Sequence, residues 1–330
     1  MTEVEVREEP LLDVRNLSVR FLIGRATVQA VRRVDLRLAR REVLGIIGES
    51  GSGKSVTALS ILRLLPRHAV VTADQLRFAG QDLTSLSDNK FRDLRGTHMA
   101  IIFQDPVGAF NPAKRIGWHL DRILSRAVTR SDRQSRNLAQ DARHWLGDVG
   151  ITHPERVLPL YPHQLSGGML QRTLIAISAA LQPDLLIADE PTTNLDNIVE
   201  GQIISLFRRL RENLGAAIIF ITHDISLAAG LSDRIAVMYA GEVVETAPVS
   251  TMMEKPAHPY TVGLIATARQ LGDRAARLKE IPGELPSAAA RAMGCLFAPR
   301  CSFATEACRK EPPPVAELAP GHIVRCVLHA

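Results

Sequence analysis

The spacing of apolar residues changes along this chain, and each spacing predicts a different kind of structure. Residues at the start hold short apolar runs typical of strands, at 11–15, 17–21, 34–38 and 43–47. The last run is almost continuously apolar, which predicts a strand buried on both faces of a parallel sheet. A helix is predicted from 54 to 65, where Pro66 ends the pattern, and a second buried strand is predicted over 99–103.

The middle of the chain is helical and its end has no clear period. From about 107 to 182 apolar residues recur at helical intervals, so we predict an inserted helical subdomain. Strands and helices then alternate, as in a parallel sheet flanked by helices. The predicted strands are 185–188, 217–222 and 235–239, and the predicted helices are 198–214 and 225–231. Residues 256–330 are rich in Pro and Cys, and we expect them to form a separate appendage.

Composition narrows the class of protein. The 330 residues, 46% of them hydrophobic, allow one large domain, or a domain of about 250 residues with a smaller appendage. No apolar run is long enough to predict a transmembrane helix, and the acidic N-terminus does not predict a signal peptide. The net charge of +5 comes without a long basic run, and aromatic residues make up only 4%. We therefore interpret the charge as a solvated surface and expect no nucleic-acid partner.

A glycine-rich segment stands between the strand 43–47 and the helix 54–65. It reads Gly48-Glu49-Ser50-Gly51-Ser52-Gly53-Lys54-Ser55. Its glycines let backbone N–H groups curl around a phosphate, and the start of the helix favours negative charge. Lys54 is expected to reach the β- and γ-phosphates, and the Ser55 hydroxyl to ligate Mg²⁺. The segment predicts a P-loop that binds ATP with Mg²⁺.

Two carboxylates follow another buried strand. Asp189 comes directly after the strand 185–188, at the sheet edge where ligands of parallel sheets bind, and can hold Mg²⁺ through water. Glu190 is the next residue. The alternative, a capping pair at a strand-to-loop turn, is disfavoured because the chain also holds the P-loop. Gln104 and His223 each follow a strand too, but either residue alone would indicate little.

A third segment, Ser166-Gly167-Gly168, begins a helical pattern within the predicted helical subdomain. Small residues at a helix start form an anion site. A helix of that subdomain is poorly placed to reach the chain's own P-loop, which leaves this site without a ligand from the same chain.

Taken in order, these segments resemble the ATPases of ABC transporters. They are residues 48–55, Phe103-Gln104-Asp105-Pro106, Leu165-Ser166-Gly167-Gly168, residues 185–190 and Thr222-His223-Asp224. The resemblance implies an α/β fold, a P-loop ABC-type nucleotide-binding domain made of a RecA-like core, an antiparallel β part and the helical subdomain. It also implies that two ATPase subunits pair head to tail. The signature segment of each subunit, here residues 165–168, would then cap the γ-phosphate of the nucleotide held by the other subunit.

The same resemblance implies roles for single residues. Glu190 would polarise the attacking water, Gln104 would contact Mg²⁺ and water, and His223 would contact the γ-phosphate. Asp196 would belong to the D-loop at the seam between the subunits. Phe21 would stack on adenine, although a Phe after a short strand is more often a core residue.

Further segments are similar to the D-type ATP-binding subunit of bacterial dipeptide and oligopeptide importers. They include Asn111-Pro112, Tyr161-Pro162-His163-Gln164, His258-Pro259-Tyr260-Thr261 and the Cys-containing tail. This implies an ATPase domain over 11–255 and an importer-type C-terminal region over 256–330. The implied function is ATP hydrolysis that drives import of di- and oligopeptides; nickel, glutathione or another small solute is the alternative. A soluble ABC ATPase acting on nucleic acid is disfavoured, because neither a second ATPase cassette nor a long coiled-coil insertion is present.

Such a subunit implies partners. They are a second ABC ATPase subunit of the F-type, two transmembrane permease subunits and an extracytoplasmic solute-binding protein, which would hold the chain at the cytoplasmic face of the inner membrane. Some residues depart from the family pattern: Met169 replaces Gln, Asn194 replaces Ala, Phe110 replaces Leu, and the turn Arg40-Arg41-Glu42 lacks a Gly. None of these departures removes a catalytic group.

All four cysteines lie near the C-terminus, at Cys295, Cys301, Cys308 and Cys326. In a cytoplasmic protein they are not expected to form disulfides. Four thiolates in a small Pro-rich segment suit Zn²⁺ or an iron–sulfur cluster. The resemblance to peptide importers favours a [4Fe-4S] cluster, and zinc or unligated thiols are the alternatives.

Overall fold

The computed structural model describes residues 9–130, 138–193, 197–271, 281–286 and 294–329. The chain falls into two compact units, one made of Met1–Thr84 and Phe220–Ala330, the other of Ser85–Ile219. The glycine-rich segment and the cysteines therefore belong to the same unit, although more than half of the chain separates them. In the described ranges no helix combines the length and the apolarity that crossing a bilayer requires.

The first unit begins with an antiparallel sheet. Its N-terminal elements are β1 (Leu12–Ile23), β2 (Ala26–Leu38), β3 (Val43–Ile47), α1 (Lys54–Ile61), β4 (Ala69–Thr72), β5 (Gln75–Phe78) and β6 (Gln81–Asp82). β1 pairs antiparallel with β2, β4 and β5. This sheet is the antiparallel part that the family resemblance implies.

β1 is one continuous strand where the sequence predicted two, at 11–15 and 17–21, so that prediction is wrong. The interruption is a bulge at Asn16, whose φ is 51° and where the register to β2 shifts. The Asn16 N–H donates to the Asp35 carboxylate at 2.8 Å, and its amide donates to Asp74 at 3.0 Å. Asn tolerates this left-handed conformation, so the strand bends without ending.

The second unit holds most of the helices. Its elements are α2 (Asp88–Thr97), β7 (Met99–Ile102), α3 (Pro106–Ala109), α4 (Ile116–Arg130), α5 (Leu138–Asp148), α6 (Pro154–Val157), α7 (Gly167–Ala180), β8 (Leu185–Asp189), α8 (Asn197–Leu214) and β9 (Ala217–Thr222), along which the chain passes back into the first unit. β7 and β8 pair in parallel, as predicted for buried apolar strands. Between them the described residues form helices and loops, in agreement with the helical spacing of apolar residues.

The C-terminal part of the first unit extends the sheet of β3. Its elements are α9 (Ile225–Leu231), β10 (Arg234–Tyr239), β11 (Glu242–Pro248), α10 (Val249–Glu254), α11 (Pro259–Leu271), α12 (Glu306–Lys310), β12 (Val315–Ala319) and β13 (His322–Arg325). β10 pairs in parallel with β3, and β11, β13 and β12 continue the sheet with antiparallel pairs. The described parts of residues 256–330, for which the sequence showed no period, thus supply the helices α11 and α12 and the strands β12 and β13.

One apolar core joins these C-terminal elements to the sheet. Tyr239 of β10, Tyr260 of α11 and Phe297 are all buried and belong to one cluster with Ile47 of β3. The Tyr239 ring lies 4.7 Å from that of Tyr260 and 5.2 Å from that of Phe297 between centroids. Because aromatic side chains bury large apolar areas, this cluster fixes the C-terminal region against the strand that leads into the glycine-rich segment.

Candidate nucleotide-binding site

The glycine-rich segment is held open by glycines that no other residue could replace. Gly48 follows the buried strand β3 and has a φ of +154°, and a Cβ placed there would lie 2.1 Å from the Met238 carbonyl oxygen. Gly53 has a φ of +102°, and its Cβ would lie 2.9 Å from the Ala30 carbonyl oxygen. The backbone therefore approaches its neighbours too closely for a side chain, as in a loop that wraps a phosphate.

Lys54 lies inside this loop. Its side chain is buried, and its ammonium group donates to the carbonyl oxygens of Gly48 at 2.7 Å and Glu49 at 3.1 Å. The Ser52 hydroxyl is buried too, and among the described residues it has no hydrogen-bond partner. A buried cation and an unpartnered hydroxyl in a glycine cradle fit an anionic phosphate ligand. Ser55 stands at the start of α1, where the sequence predicts a ligand of Mg²⁺.

Glu49 makes contacts that the sequence did not predict. Its N–H donates to the Tyr260 hydroxyl at 3.0 Å, and its carboxylate pairs with the Arg300 guanidinium at 2.9 Å. Burial raises the pKa of Tyr260, so its hydroxyl stays protonated. Both partners come from the C-terminal region, more than 200 residues along the chain. The sequence singled out the segment His258-Pro259-Tyr260-Thr261, but it did not predict which residues this segment contacts.

Two other predicted residues of this unit lie in or directly after strands. His223 follows β9 and is exposed, and the next residue, Asp224, caps α9 by accepting N–H groups of Ser226 and Leu227. Phe21 is half-buried in β1, with its ring 5.8 Å from that of His68 between centroids. The contacts of His223 with the γ-phosphate and of Phe21 with adenine stay predictions.

In the second unit the structure brings Gln104 and Glu190 together. The Gln104 amide donates to the Glu190 carboxylate at 3.3 Å, and the Thr193 hydroxyl donates to the same oxygen at 2.9 Å. Glu190 has a φ of 45°, a strained conformation for this residue type and one that often marks a functional position. Asp189 ends β8 and is buried. This is the carboxylate edge that the sequence predicts for Mg²⁺ and water.

The signature segment begins α7. The Ser166 hydroxyl accepts the Met169 N–H at 3.4 Å as the helix cap, and the helix starts at Gly167. Gly168 lies against Val199, where an added Cβ would be 3.4 Å from the Val199 side chain. The helix start therefore exposes small residues and backbone N–H groups, which can bind an anion. Asp196 and the rest of the predicted D-loop, Asn194 and Leu195, lie outside the described residues.

The four cysteines converge in space. Cys295, Cys301, Cys308 and Cys326 line a single cavity of about 20 Å³, together with apolar groups such as Phe297 and Leu328. All four are free thiols. Within the described ranges no three His, Cys, Asp or Glu side chains are arranged as metal ligands. The thiols therefore share one cavity without the geometry of a coordinated ion.

The thiols differ in their tendency to ionise. Burial raises the pKa of Cys295 to about 11, and burial also raises the pKa of Cys326. In contrast, hydrogen bonds from the Thr305 hydroxyl and backbone N–H lower the pKa of Cys308. Thiolates near one another repel, and a cation placed between them would remove that repulsion.

Comparisons with known protein families agree with this architecture. The family described as ABC transporter matches residues 31–193, and the family described as oligopeptide/dipeptide transporter, C-terminal region, matches residues 244–308. The chain is 42% identical to the dipeptide transport ATP-binding protein DppD of Escherichia coli (strain K12), covering 96% of each chain. It is 43% identical to a Brucella abortus (strain 2308) protein named for peptide import as an ATP-binding protein, covering 98% of this chain and 96% of that protein.

A solved structure is similar as well. It is the dimeric, post-hydrolysis state of the ATP-binding cassette MJ0796 bound to ADP and phosphate, with a TM-score of 0.63 and 25% sequence identity. The similarity covers 72% of this chain and 98% of that one. Taken with the loop geometry and the sequence relatives, it confirms the predicted fold and ATPase class. The chain belongs to the family of ABC transporter ATP-binding proteins, in the branch with an oligopeptide/dipeptide transporter C-terminal region.

Proposed function

We propose that this chain is the ATP-hydrolysing subunit of an ABC importer and that it energises the import of dipeptides and oligopeptides. The observation that carries the proposal is the glycine cradle around the buried Lys54, in a chain that is similar over nearly its whole length to a dipeptide transport ATP-binding protein. A cradle of this kind binds phosphate. The relatives named for dipeptide transport support the proposal that ATP hydrolysis drives transport.

The loop 48–55 binds the triphosphate in this proposal. Backbone N–H groups surround the phosphates, Lys54 turns from the loop carbonyls to the β- and γ-phosphates, and the Ser52 hydroxyl gains a partner. Ser55, Gln104 and Asp189 are the residues that would hold Mg²⁺. When bound, Mg²⁺ offsets the negative charge that develops on the phosphate oxygens during transfer.

Glu190 orients the attacking water, and Gln104, which donates to the Glu190 carboxylate, fixes the direction of that carboxylate. His223 contacts the γ-phosphate and Phe21 stacks on adenine. Residues of the signature segment (Ser166, Gly167 and Gly168), with Asp196, act on a nucleotide held by a second ATPase subunit.

The substitution Glu190→Gln tests the hydrolysis step. It keeps the size of the side chain but removes the charge that orients water, so turnover is expected to fall by at least about 100-fold while ATP still binds. The matched control is Glu212→Gln on the exposed face of α8, which should hydrolyse ATP as the wild type does. Undiminished hydrolysis in Glu190→Gln would refute the assignment of Glu190.

The solute is tested in cells that lack this chain. Uptake of labelled di- and oligopeptides should be lost and should return with the wild-type chain but not with Lys54→Ala. Peptide uptake that is unaffected by the deletion would contradict the peptide assignment, and the same cells would then be tested with nickel, glutathione and glycosides.

We also propose the partners and the location of the chain. Relatives named for peptide import support an assembly with two transmembrane permease subunits and an extracytoplasmic solute-binding protein, and support a position at the cytoplasmic face of the inner membrane. The second ATPase is an F-type relative rather than another copy. The chain divides into an ATPase domain over 11–255 and an importer-type region over 256–330. Purification of the tagged chain from membranes should recover both permeases and an F-type ATPase; recovery of only identical ATPase copies would contradict the heterodimer.

The cysteine cavity is proposed as a metal site that holds a [4Fe-4S] cluster, with zinc as the alternative. The donor set fits, because four thiols and mainly apolar groups line one cavity. The space of about 20 Å³ is close to that of one water molecule, so a cluster requires the side chains to move outward. A bound metal would link the chain segments that carry the four cysteines and would not serve electron transfer.

Absorption spectra and metal analysis of anaerobically purified protein test this site. A brown sample with about four iron atoms per chain is expected for the cluster, and Cys301→Ser should lose the colour. Ser302→Ala is the control, because Ser302 follows Cys301 in the chain and its side chain is exposed. A colourless sample with one zinc per chain selects the alternative, and a sample without bound metal contradicts both.

A further inference from the structure

The C-terminal region reaches the glycine-rich segment through one arginine. Only 6% of the Arg300 side chain is exposed. Its guanidinium pairs with the Glu49 carboxylate at 2.9 Å. The same guanidinium donates to the carbonyl oxygens of Pro282 at 2.8 Å and Ile281 at 3.1 Å, and to the Tyr239 hydroxyl at 3.4 Å. Arg300 thus connects three chain segments that are far apart in sequence.

The geometry leaves little freedom for Arg300. Its guanidinium lies 5.7 Å from the Tyr239 ring centroid and 6.0 Å from that of Phe297. Gly283 has a φ of +79°, and a Cβ there would be 3.3 Å from the Arg300 side chain. A planar guanidinium that makes these four hydrogen bonds and lies against two aromatic rings is held in one orientation, which a lysine could not reproduce.

A second contact from the same region fixes the backbone of the loop. Tyr260 accepts the Glu49 N–H through its hydroxyl, so Glu49 is held at its backbone and at its side chain. Residue Leu285 lies next to the loop as well, since a Cβ added to Gly51 would be 3.5 Å from the Leu285 side chain. Glu49 and Gly51 are therefore positioned by residues that do not belong to the phosphate cradle.

Tyr260 is itself held by a buried polar network. The Glu245 carboxylate accepts the N–H groups of Ala257 and His258 at 2.8 Å, and the His322 ring lies 2.8 Å from the same carboxylate. His258 then accepts the Tyr260 N–H at 3.1 Å. Buried charged hydrogen bonds are strong and directional, so this network fixes the positions of α11 and of the Tyr260 hydroxyl.

The cysteine cavity adjoins the same arginine. Arg300 directly precedes Cys301, and the Arg300 N–H donates to the Phe297 carbonyl at 2.9 Å. Phe297 lines the cysteine cavity and also packs against the Tyr239 and Tyr260 rings. The thiols and Arg300 therefore share Phe297 as a neighbour.

We propose that Arg300 is a positioning residue for the P-loop. Through Arg300, the cysteine region (residues 294–329) sets the affinity of the chain for ATP. Arg300 acts through Glu49 and touches neither the phosphates nor the attacking water. The proposal rests on the proposed nucleotide site. It adds that the C-terminal region is part of the nucleotide-binding apparatus, so that the state of the thiols is communicated to a loop more than 200 residues earlier in the chain.

The test measures the dissociation constant of a fluorescent ATP analogue on the full chain. Arg300→Gln and Glu49→Gln are each expected to raise the constant about tenfold, and Arg300→Lys about threefold, because lysine keeps the charge but not the fork. The double variant should also bind about tenfold more weakly, since both changes remove one link. Arg309→Gln, an exposed arginine of the same region, is the matched control and should bind as the wild type does.

The cysteine arm uses the same measurement. Cys301→Ser is expected to raise the constant about threefold in the wild-type background and to add nothing in the Arg300→Gln background. Binding by Arg300→Gln equal to that of Arg309→Gln overturns the proposal, and so does an effect of Cys301→Ser that persists without Arg300. If Arg300→Gln does not fold, as judged by thermal unfolding, Glu49→Gln replaces it, since it removes the charge that pairs with Arg300. Unchanged binding by Glu49→Gln then overturns the proposal.

Lys54→Ala separates failure of this inference from failure of the proposed function. Loss of binding in Lys54→Ala together with unchanged binding in Arg300→Gln overturns the inference alone. Unchanged binding in Lys54→Ala contradicts the nucleotide site itself, and with it the inference.

Discussion

The glycine-rich segment 48–55 and the cysteine region 294–329 are both rich in loops and belong to one compact unit, yet they are built in different ways. The first is defined by residues that are neighbours in sequence, since Gly48 and Gly53 supply backbone conformations that other residues rarely adopt. The second is defined by contacts between residues far apart, such as the thiols of Cys295 and Cys326 on one cavity.

The difference teaches how far a local pattern can be trusted. A loop that needs glycine at fixed positions can be recognised from sequence, because only glycine readily adopts the conformations that these positions require. A region whose shape is imposed by packing cannot, because its partners lie elsewhere in the chain. Substitutions in the first region should therefore act by changing the backbone shape of the loop, and those in the second by removing a contact with a distant residue.

The largest effect is expected for Gly48→Ala. Its Cβ would lie 2.1 Å from the backbone carbonyl oxygen of Met238, which cannot move without displacing β10. ATP affinity should fall by at least about 100-fold, because the cradle loses its shape. The control is Gly147→Ala, where nothing lies within 4 Å of an added Cβ. Titration with a fluorescent ATP analogue compares the two, and equal affinities would show that the loop is not fixed by its glycines.

A large effect on stability is also expected for Phe297→Ala, which removes a core side chain of the cysteine region. The ring is buried between Tyr239 and Tyr260, so its removal leaves a cavity and should lower the free energy of unfolding by about 3 kcal/mol. Phe303→Ala, at a position that is 61% exposed, should change it by no more than about 0.5 kcal/mol. Urea unfolding followed by tyrosine fluorescence measures both, and similar values would mean that the region is not held by this core.

The smallest effect concerns a turn in which the sequence departs from the family pattern. Arg41 has a φ of 62°, in the left-handed region that favours glycine. Arg41→Gly relieves strain of about 1 kcal/mol but increases the freedom of the unfolded chain, so a net stabilisation of about 0.5 kcal/mol is expected.

Arg40→Gly is the matched control for that turn. Arg40 is not among the described residues with a positive φ, so this change should destabilise by about 0.5 kcal/mol. Thermal unfolding of the two variants gives opposite shifts if the left-handed conformation of Arg41 is the cause, and shifts of the same sign contradict it.

Elements with a strong apolar period could be predicted closely. The strand at 217–222 and the helix at 225–231 have the predicted bounds, because each is a short buried segment between clear stops. The helix predicted over 54–65 ends at Ile61 instead, since Arg63 takes a left-handed conformation with a φ of 48°. The prediction failed there because its stop signal, Pro66, is not the residue that ends the helix.

The sequence by itself determined the fold class, the phosphate cradle and the identity of the residues at the strand ends. The fold class follows from periodicity, and the cradle follows from glycines that adopt backbone conformations rarely open to other residues. Both effects act over a few residues. Tertiary structure alone decided that Glu49 is held by Tyr260 and Arg300 and that four thiols share one cavity. These contacts join residues far apart in the chain, and only the packing of the shared aromatic core selects which side chains meet.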